Sequence, residues 1–297
     1  MHLKFHNGNT MKNLQSFLNV RDALIKFLHE DIGTGDVTSN CLIPDDLHSR
    51  AQIICKNKKS AIVCGLEEMN LVFDLCGCNT KTLVSDGSWV QKGTVVMTIE
   101  GKTRSILKAE RTALNLIMRM SGIASETRYI KDAIVDISDS IIIASTRKTA
   151  PGLRFFDKKA VTIGGGNSHR IRLDDMVLIK DNHLEIIGSV KKSIEMAKKK
   201  AASSITIECE AKNSNEVIEA ITAGADIVML DNFSPEEAAK IIKEISRMGV
   251  REKVKLEISG GITMQNIRDY AKEQPDIISV GFLTHSPKAI DFSLEII

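Results

Sequence analysis

The sequence has almost no surplus of charge. Forty Lys and Arg against 38 Asp and Glu leave a formal net charge of +2, which is not the general basicity of a nucleic-acid-binding chain. Long apolar runs are also missing, and none approaches the roughly 20 residues of a membrane-spanning helix. The six cysteines, at 41, 55, 64, 76, 78 and 209, contain no CxxC pair. Cys76-Gly-Cys78 is the one close pair, and without a second ligand pair it does not make a zinc site. Scattered cysteines without a secretory leader pattern fit a reducing cytosol. A cytoplasmic location is therefore expected, with neither nucleic acid nor membrane as partner. What is present is ordinary for a globular chain: 43% apolar and 26% charged residues over 297 positions, enough for one large domain, or for one large and one small.

One stretch, residues 141 to 183, organises the rest. Two apolar runs, Ile141 to Ala144 and Met176 to Ile179, each lead into cations: Arg147 and Lys148 after the first, Lys180 after the second. Between them a triple glycine, Gly164 to Gly166, precedes His169 and Arg170. A short apolar run followed at once by charge reads as a buried strand delivering side chains at its carboxyl end, where α/β proteins place their sites. Any one of these cations alone fits a solvated loop, but a convergent set repels itself and calls for an anionic partner.

In chain order, residues 1 to 10 are polar and receive no role. Leu14, Phe17, Leu18, Ala23, Leu24, Phe27 and Leu28 form an apolar stripe that predicts an amphipathic helix over 12–30. It runs into HEDIGTGDVTS, which reads as a tight loop, its acidic residues lacking a calcium-loop pattern. From Ala51 to Leu107 short β-like runs predict a small, mainly antiparallel sheet with one helix near Leu66 to Cys76. SWVQKGTVVMTIEG has the look of the hairpins of biotin and lipoyl carriers but offers no lysine at a matching tip, so it reads as scaffold. Residues 108 to 136 return to helical periodicity with Gly122 as a break. Arg111 falls near the start of that helix, where a cation is unfavourable, so it reaches an anion or pairs locally with Glu110.

After Ile141 apolar strands (IIIAS, MVLIK, SITIEC, DIVMLD, VKLEIS, IISVGF) alternate with polar helices. Ser234-Pro235-Glu236-Glu237 is a capping box with proline at the first helical position, and Asn213 with Glu216 is a weaker one. About six βα units predict an α/β fold with a parallel, TIM-like barrel, an open doubly wound sheet being the alternative. Arg147, Lys148, Lys180, Glu210, Asp231, Ser259-Gly260-Gly261 and Gly281 all fall at or just past strand ends, which favours one barrel mouth over a single switch point. The glycine turns after the last two strands fit a phosphate site. The expected domains are an N-terminal α+β sandwich over 1–122, a barrel over 123–284, and a segment 285–297 packing back on the first domain.

At this point EDIGTGDVTS, AERTALN, STRKTAPGLR, GGGNSHR, LIKDNH, IECEA, MLDN, EISGGI and SVGFLTHS, in that order from residue 30 to residue 286, make the chain resemble quinolinate phosphoribosyltransferases. One departure is Lys159, where the family has an aromatic residue in a KYAV segment. The resemblance implies transfer of phosphoribosyl from 5-phosphoribosyl 1-diphosphate to the nitrogen of quinolinate, with loss of carbon dioxide, giving nicotinate mononucleotide for NAD synthesis. It implies that Arg111, Arg147, Thr149, His169, Arg170 and Lys180 hold quinolinate. Lys148 would reach the phosphoribosyl diphosphate, and Ser259, Gly260, Gly261, Gly281 and His285 would line its phosphate pocket. Glu210 and Asp231 would meet the ribose hydroxyls or Mg2+, the expected cofactor, which enters with the diphosphate. It implies further a homodimer, or a higher oligomer of dimers, in which Arg111 crosses to the neighbouring subunit. Three rivals remain: a related pyrophosphorylase-like transferase with another acceptor, such as those linked to molybdenum use; a Schiff-base aldolase using Lys180; and a non-enzymatic carrier or scaffold. His169 as a helix cap and the carboxylates as structural partners of lysines stay open as plainer readings.

Overall fold

The structure, a computed structural model, describes residues 19–297. Leu14, Phe17, Leu18 and the polar first ten residues lie outside that range. In chain order the strands are β1 (His48–Cys55), β2 (Ala61–Ile62), β3 (Asn79–Thr82), β4 (Trp89–Val90), β5 (Val95–Lys102), β6 (Ile142–Ala144), β7 (Val177–Ile179), β8 (Ile207–Ala211), β9 (Ile227–Asp231), β10 (Lys255–Ser259), β11 (Ile277–Ser279) and β12 (Phe292–Ile296). The chain divides into two compact units. The first holds the residues up to Arg128 together with Thr149–Gly165 and Leu283–Ile297, and the second holds Tyr129–Lys148 and Gly166–Phe282.

In the first unit the stripe predicted for 12–30 is seen as the helix Val20–Ile32, which buries Ala23, Leu24 and Leu28. HEDIGTGDVTS is more than a loop. Asp36 accepts from the Ser39 N–H at 3.0 Å and so caps a second short helix, Val37–Leu42; this satisfies an amide that the helix start leaves unbonded. β12, β1, β5 and β3 form a four-stranded sheet in that order, with β12, β1 and β5 antiparallel to their neighbours, and β2 pairs with β4. SWVQKGTVVMTIEG is therefore not a hairpin, because β4 and β5 lie in different sheets.

The helix predicted over 108–136 begins earlier and is unbroken, running Thr103–Asp132 over 30 residues. Gly122 does not interrupt it. A Cβ there would sit 1.9 Å from the Lys288 carbonyl oxygen, so glycine admits the returning carboxyl-terminal chain rather than ending the helix. Arg111 is accordingly in the third turn, away from the positive helix end, and the dipole argument for it falls. Lys159 is buried, with Nζ 2.7 Å from both Glu67 Oε2 and Glu68 Oε1. The aromatic residue expected there is replaced by an ion triad that holds the ammonium strongly charged, the nearby carboxylates outweighing its burial.

The second unit is a six-stranded parallel sheet in the order β6-β11-β10-β9-β8-β7. β8 is buried along its whole length, and β9 and β11 are buried except for Asp231; strands covered on both faces read as nearly continuous apolar runs, as in β9, and the glutamates inside β8 stand out against that rule. Each fully buried Ile or Val contributes about 1.5–3 kcal/mol. The crossover helices start as predicted. Ser234 and Glu237 exchange both capping-box bonds ahead of Pro235–Arg247, and Asn213 accepts from Glu216 N at 3.0 Å. The registers Ser279↔Ala144, Ser259↔Ser279, Ser259↔Asp231 and Ala211↔Leu230 line the carboxyl ends of neighbouring strands up along one edge.

Candidate functional site

That edge gathers the charged and glycine-bearing strand ends singled out from sequence. Lys180 follows β7, Glu210 is the penultimate residue of β8, Asp231 ends β9 and Ser259 ends β10. Lys180 Nζ donates to Glu210 Oε1, so the pairing of carboxylate and lysine considered from sequence is present. Asp231 Oδ2 accepts from the amide of Asn232 at 2.9 Å. Asn232 has a φ of +59° and its N–H donates to the Ser259 carbonyl at 2.9 Å. Gly260 has a φ of +96°, and a Cβ on it would meet Asn232 Oδ1 at 2.2 Å, so only glycine fits; Gly261, at +62°, follows. Gly281 occupies the corresponding place two residues after β11.

The cations come from the loops after β6 and before β7. Arg147 is half-buried, and its Nε is a buried donor without a hydrogen-bond partner among the described residues. Such a donor costs roughly 1–3 kcal/mol unless a ligand satisfies it. Lys148 is exposed, its N–H bonded to Thr146 Oγ1 at 3.1 Å. Arg170 is buried and donates to the carbonyls of Arg172 and Leu173, both at 3.0 Å. Burial first, and then the charge of Arg147, disfavour its guanidinium form.

His169 is not a helix cap. Its Nε2 lies 2.9 Å from Glu257 Oε2 and 3.4 Å from Glu208 Oε2, and its backbone sits at φ +51°. Glu257 also accepts from the Ser279 hydroxyl. Both glutamate side chains have zero exposure, and neither oxygen of Glu208 has a hydrogen-bond partner among the described residues. Burial, then the adjacent Glu257, push the Glu208 carboxyl up to about 8, with His169 opposing. Glu208 and Glu257 were missed from sequence. A signal existed: both are carboxylates flanked by apolar residues inside short strands, Ile207 and Cys209 about Glu208 and Leu256 and Ile258 about Glu257, and Glu208 shares a face with Glu210 two residues on.

Arg111, Thr149 and His285 belong to the first unit. Arg111 is exposed and pairs with no carboxylate among the described residues, Glu110 included. Thr149 Oγ1 accepts from Arg154 Nε at 3.1 Å, and His285 Nδ1 lies 2.6 Å from Ser286 Oγ. A cavity of about 420 Å3 beside Glu210 is lined by Asp181, Glu185, Glu216 and Glu219 with Lys212. Its carboxylates repel an anion, so this cavity is unsuited to one.

The chain matches the family model for the quinolinate phosphoribosyl transferase C-terminal domain over residues 123–295, and that for the N-terminal domain over 36–121. It is 45% identical over 277 residues to a probable nicotinate-nucleotide pyrophosphorylase [carboxylating] of Methanocaldococcus jannaschii, covering 92% of this chain and 96% of the relative. The rat nicotinate-nucleotide pyrophosphorylase [carboxylating] is 34% identical over 250 residues, covering 83% and 82%. The solved nicotinate-nucleotide pyrophosphorylase of Francisella tularensis superposes with a TM-score of 0.86 at 37% identity, over 99% of this chain and 98% of that one. With both domains matched in order and the motif-bearing strand ends aligned on one edge, the chain belongs to the quinolinate phosphoribosyltransferase family.

Proposed function

We propose that the chain transfers phosphoribosyl from 5-phosphoribosyl 1-diphosphate to the nitrogen of quinolinate, with loss of carbon dioxide, and so makes nicotinate mononucleotide for NAD synthesis. The observation that carries this reading is the buried cationic ground around Arg147 and Arg170, with an unsatisfied Arg147 Nε, on the same sheet edge as Glu210 and Asp231. Arg147, Thr149, His169, Arg170 and Lys180 hold the two carboxylates, and guanidinium forks suit such planar acids. Lys148 addresses the diphosphate. Ser259, Gly260, Gly261, Gly281 and His285 take the phosphate, the positive φ of the two glycines turning backbone N–H groups outward.

Departure of diphosphate leaves positive charge on the ribose C1. Glu210 and Asp231 stabilise it electrostatically, and catalysis is positioning and charge without a covalent enzyme intermediate. Lys180 screens Glu210 until substrate arrives. The two carboxylates are hard oxygen donors and fit Mg2+, which binds through one or two carboxylates together with substrate phosphates. When bound, that ion neutralises the leaving diphosphate.

The sheet closes into a barrel. Asn167 bridges to Ala144 of β6 on the side away from β11, and His169, two residues on, touches Glu208 of β8. In a flat sheet the Asn167 row, one spacing beyond β6, would lie five spacings or about 24 Å from β8, beyond the reach of two residues and two side chains, so the contact supports a curled sheet. The pairing of β12 with β1 supports the return of residues 285–297 to the amino-terminal domain. The protein acts in the cytoplasm as a homodimer, with Arg111 completing the site of the neighbouring subunit; its exposure without a local carboxylate supports this role.

The test is product analysis with quinolinate, phosphoribosyl diphosphate and magnesium: nicotinate mononucleotide, diphosphate and carbon dioxide should form in equal amounts. Nicotinate should be a far poorer acceptor, by at least about a hundredfold in kcat/KM, because losing one carboxylate leaves buried cations unpaired. Comparable values would sink the dicarboxylate pocket. Borohydride labelling of Lys180 with a carbonyl substrate would instead support an aldolase, although pairing with Glu210 is not the desolvated setting that activates such a lysine.

A further inference from the structure

We propose that Glu257 is a positioning residue for His169, fixing its ring through Nε2–H and keeping it an imidazolium whose Nδ1–H serves a carboxylate of quinolinate. The proposal rests on the reading that His169 meets that substrate. A chain of contacts carries it. The Ser279 hydroxyl of β11 donates to Glu257 Oε1 on β10, and Glu257 Oε2 faces His169 Nε2 at 2.9 Å. A buried carboxylate at one ring nitrogen requires hydrogen there, which assigns the other nitrogen to the ligand; carboxylates orient histidines in this way in catalytic triads and metal sites. A neutral ring with hydrogen on Nε2 would turn the Nδ1 lone pair toward an anion, which repels. A charged ring donates from both sides.

The surroundings favour the charged ring. Glu257 and Glu208 face it from β10 and β8, at 2.9 and 3.4 Å and without solvent exposure. Glu210 and Lys180 act on Glu208 from further out, Arg170 is the next residue in the chain, and Arg147 acts on Arg170. Glu208 has no hydrogen-bond partner of its own among the described residues and its burial favours the protonated form near neutral pH, so Glu257, at hydrogen-bonding distance, is the group that holds the ring. The donor atoms of His169, Glu208 and Glu257 all fall within 4.8 Å of one another, a spacing that a divalent ion also accepts. Arg170 and Lys180 surround that point with positive charge, however, and a proton on the ring meets the same need. The left-handed backbone of His169, at φ +51°, is a strain of about 1–3 kcal/mol. The hydrogen bond of its ring to Glu257 on β10 holds it in place.

The experiment uses the full-length enzyme with 15N-labelled histidine. Long-range proton–nitrogen NMR reports the charge and tautomer of His169, assigned by its loss in His169→Ala, and steady-state kinetics separate KM for quinolinate from kcat across pH. Glu257→Gln keeps the shape and an acceptor but removes the charge. The ring should then lose its proton at least one pH unit lower, and KM for quinolinate at neutral pH should rise about tenfold, one unit being a tenfold change in population. Lowering the pH should restore KM, and KM for phosphoribosyl diphosphate should not move. Ser279→Ala, which only frees Glu257, should move both readouts in the same direction by a smaller factor and serves if Glu257→Gln does not fold. A ring with unchanged charge and tautomer in both variants overturns the positioning role. A ring that changes while neither these variants nor His169→Ala alters KM for quinolinate overturns the contact on which it rests.

Discussion

Glu210 and Asp231 stand at the ends of neighbouring strands, each already held: Glu210 by the Lys180 ammonium, Asp231 by the Asn232 amide. If their charge acts on the transition state, Glu210→Gln or Asp231→Asn should lower kcat by about a hundredfold while KM for quinolinate changes little. A change confined to that KM would move both residues into the acceptor pocket. Glu208 offers a different test, since its carboxyl is raised from 4.5 to about 8 chiefly by burial. Between those values the folded protein keeps a proton that the unfolded chain has released. Stability therefore falls as pH rises through this window, and the loss is complete above it. Glu208→Gln cannot ionise, so its Tm should decline less than that of the wild type from about pH 5 to pH 9. Parallel Tm curves would show that Glu208 is not the group responsible.

On the scale of elements, Gly122 and Lys159 show tertiary contacts overruling local rules. Glycine inside a helix ordinarily costs about 0.5–1 kcal/mol relative to alanine, so Gly122→Ala should stabilise by propensity alone. The added Cβ would instead lie 1.9 Å from the backbone oxygen of Lys288, which cannot swing aside as a side chain does. The substitution should destabilise by about 1–3 kcal/mol in urea unfolding; a gain in stability would mean the carboxyl-terminal segment yields freely. Lys159→Met removes the cation that Glu68 meets in the interior, where the Glu68 side chain is 1% exposed. The single change should cost about 3–5 kcal/mol, and adding Glu68→Leu should recover most of that loss, because a buried pair is often replaceable by apolar residues while half of one is not. Failure of the double variant to recover would place the stabilisation elsewhere, for instance in Glu67.

The whole assembly is where Arg111 is decided. Arg111→Ala and Lys180→Ala should each be nearly inactive. If Arg111 crosses between subunits as proposed, the Arg111→Ala subunit of a mixed dimer keeps its own Lys180 and receives an intact Arg111, so one site is restored and the other lacks both. Random pairing of equal amounts should restore roughly a quarter of the sites, half of the dimers being mixed. Isolating the mixed dimer through two tags makes the readout direct: if it is as inactive as its parents, Arg111 acts within its own chain.

Most of the second unit was legible in the sequence. The six apolar runs from IIIAS to IISVGF became β6 to β11, and the caps at Ser234 and Asn213 formed as their residue types dictate. These signals are local: strand burial, capping and turns depend on residues within a few positions of one another. The cations and carboxylates at strand ends were legible for the same reason, since a run that stops at a charge marks an end. The partners of those charges were not. That His169 meets Glu257 and Glu208, that Lys159 finds Glu67 and Glu68, and that Gly122 receives the Lys288 carbonyl all join residues far apart in the chain. Nothing within reach of those residues along the sequence names the partner. Strand order and the return of the carboxyl-terminal segment bring them together, and these are properties of the packed whole: the free energy of a buried contact exists only once distant elements have excluded water around it.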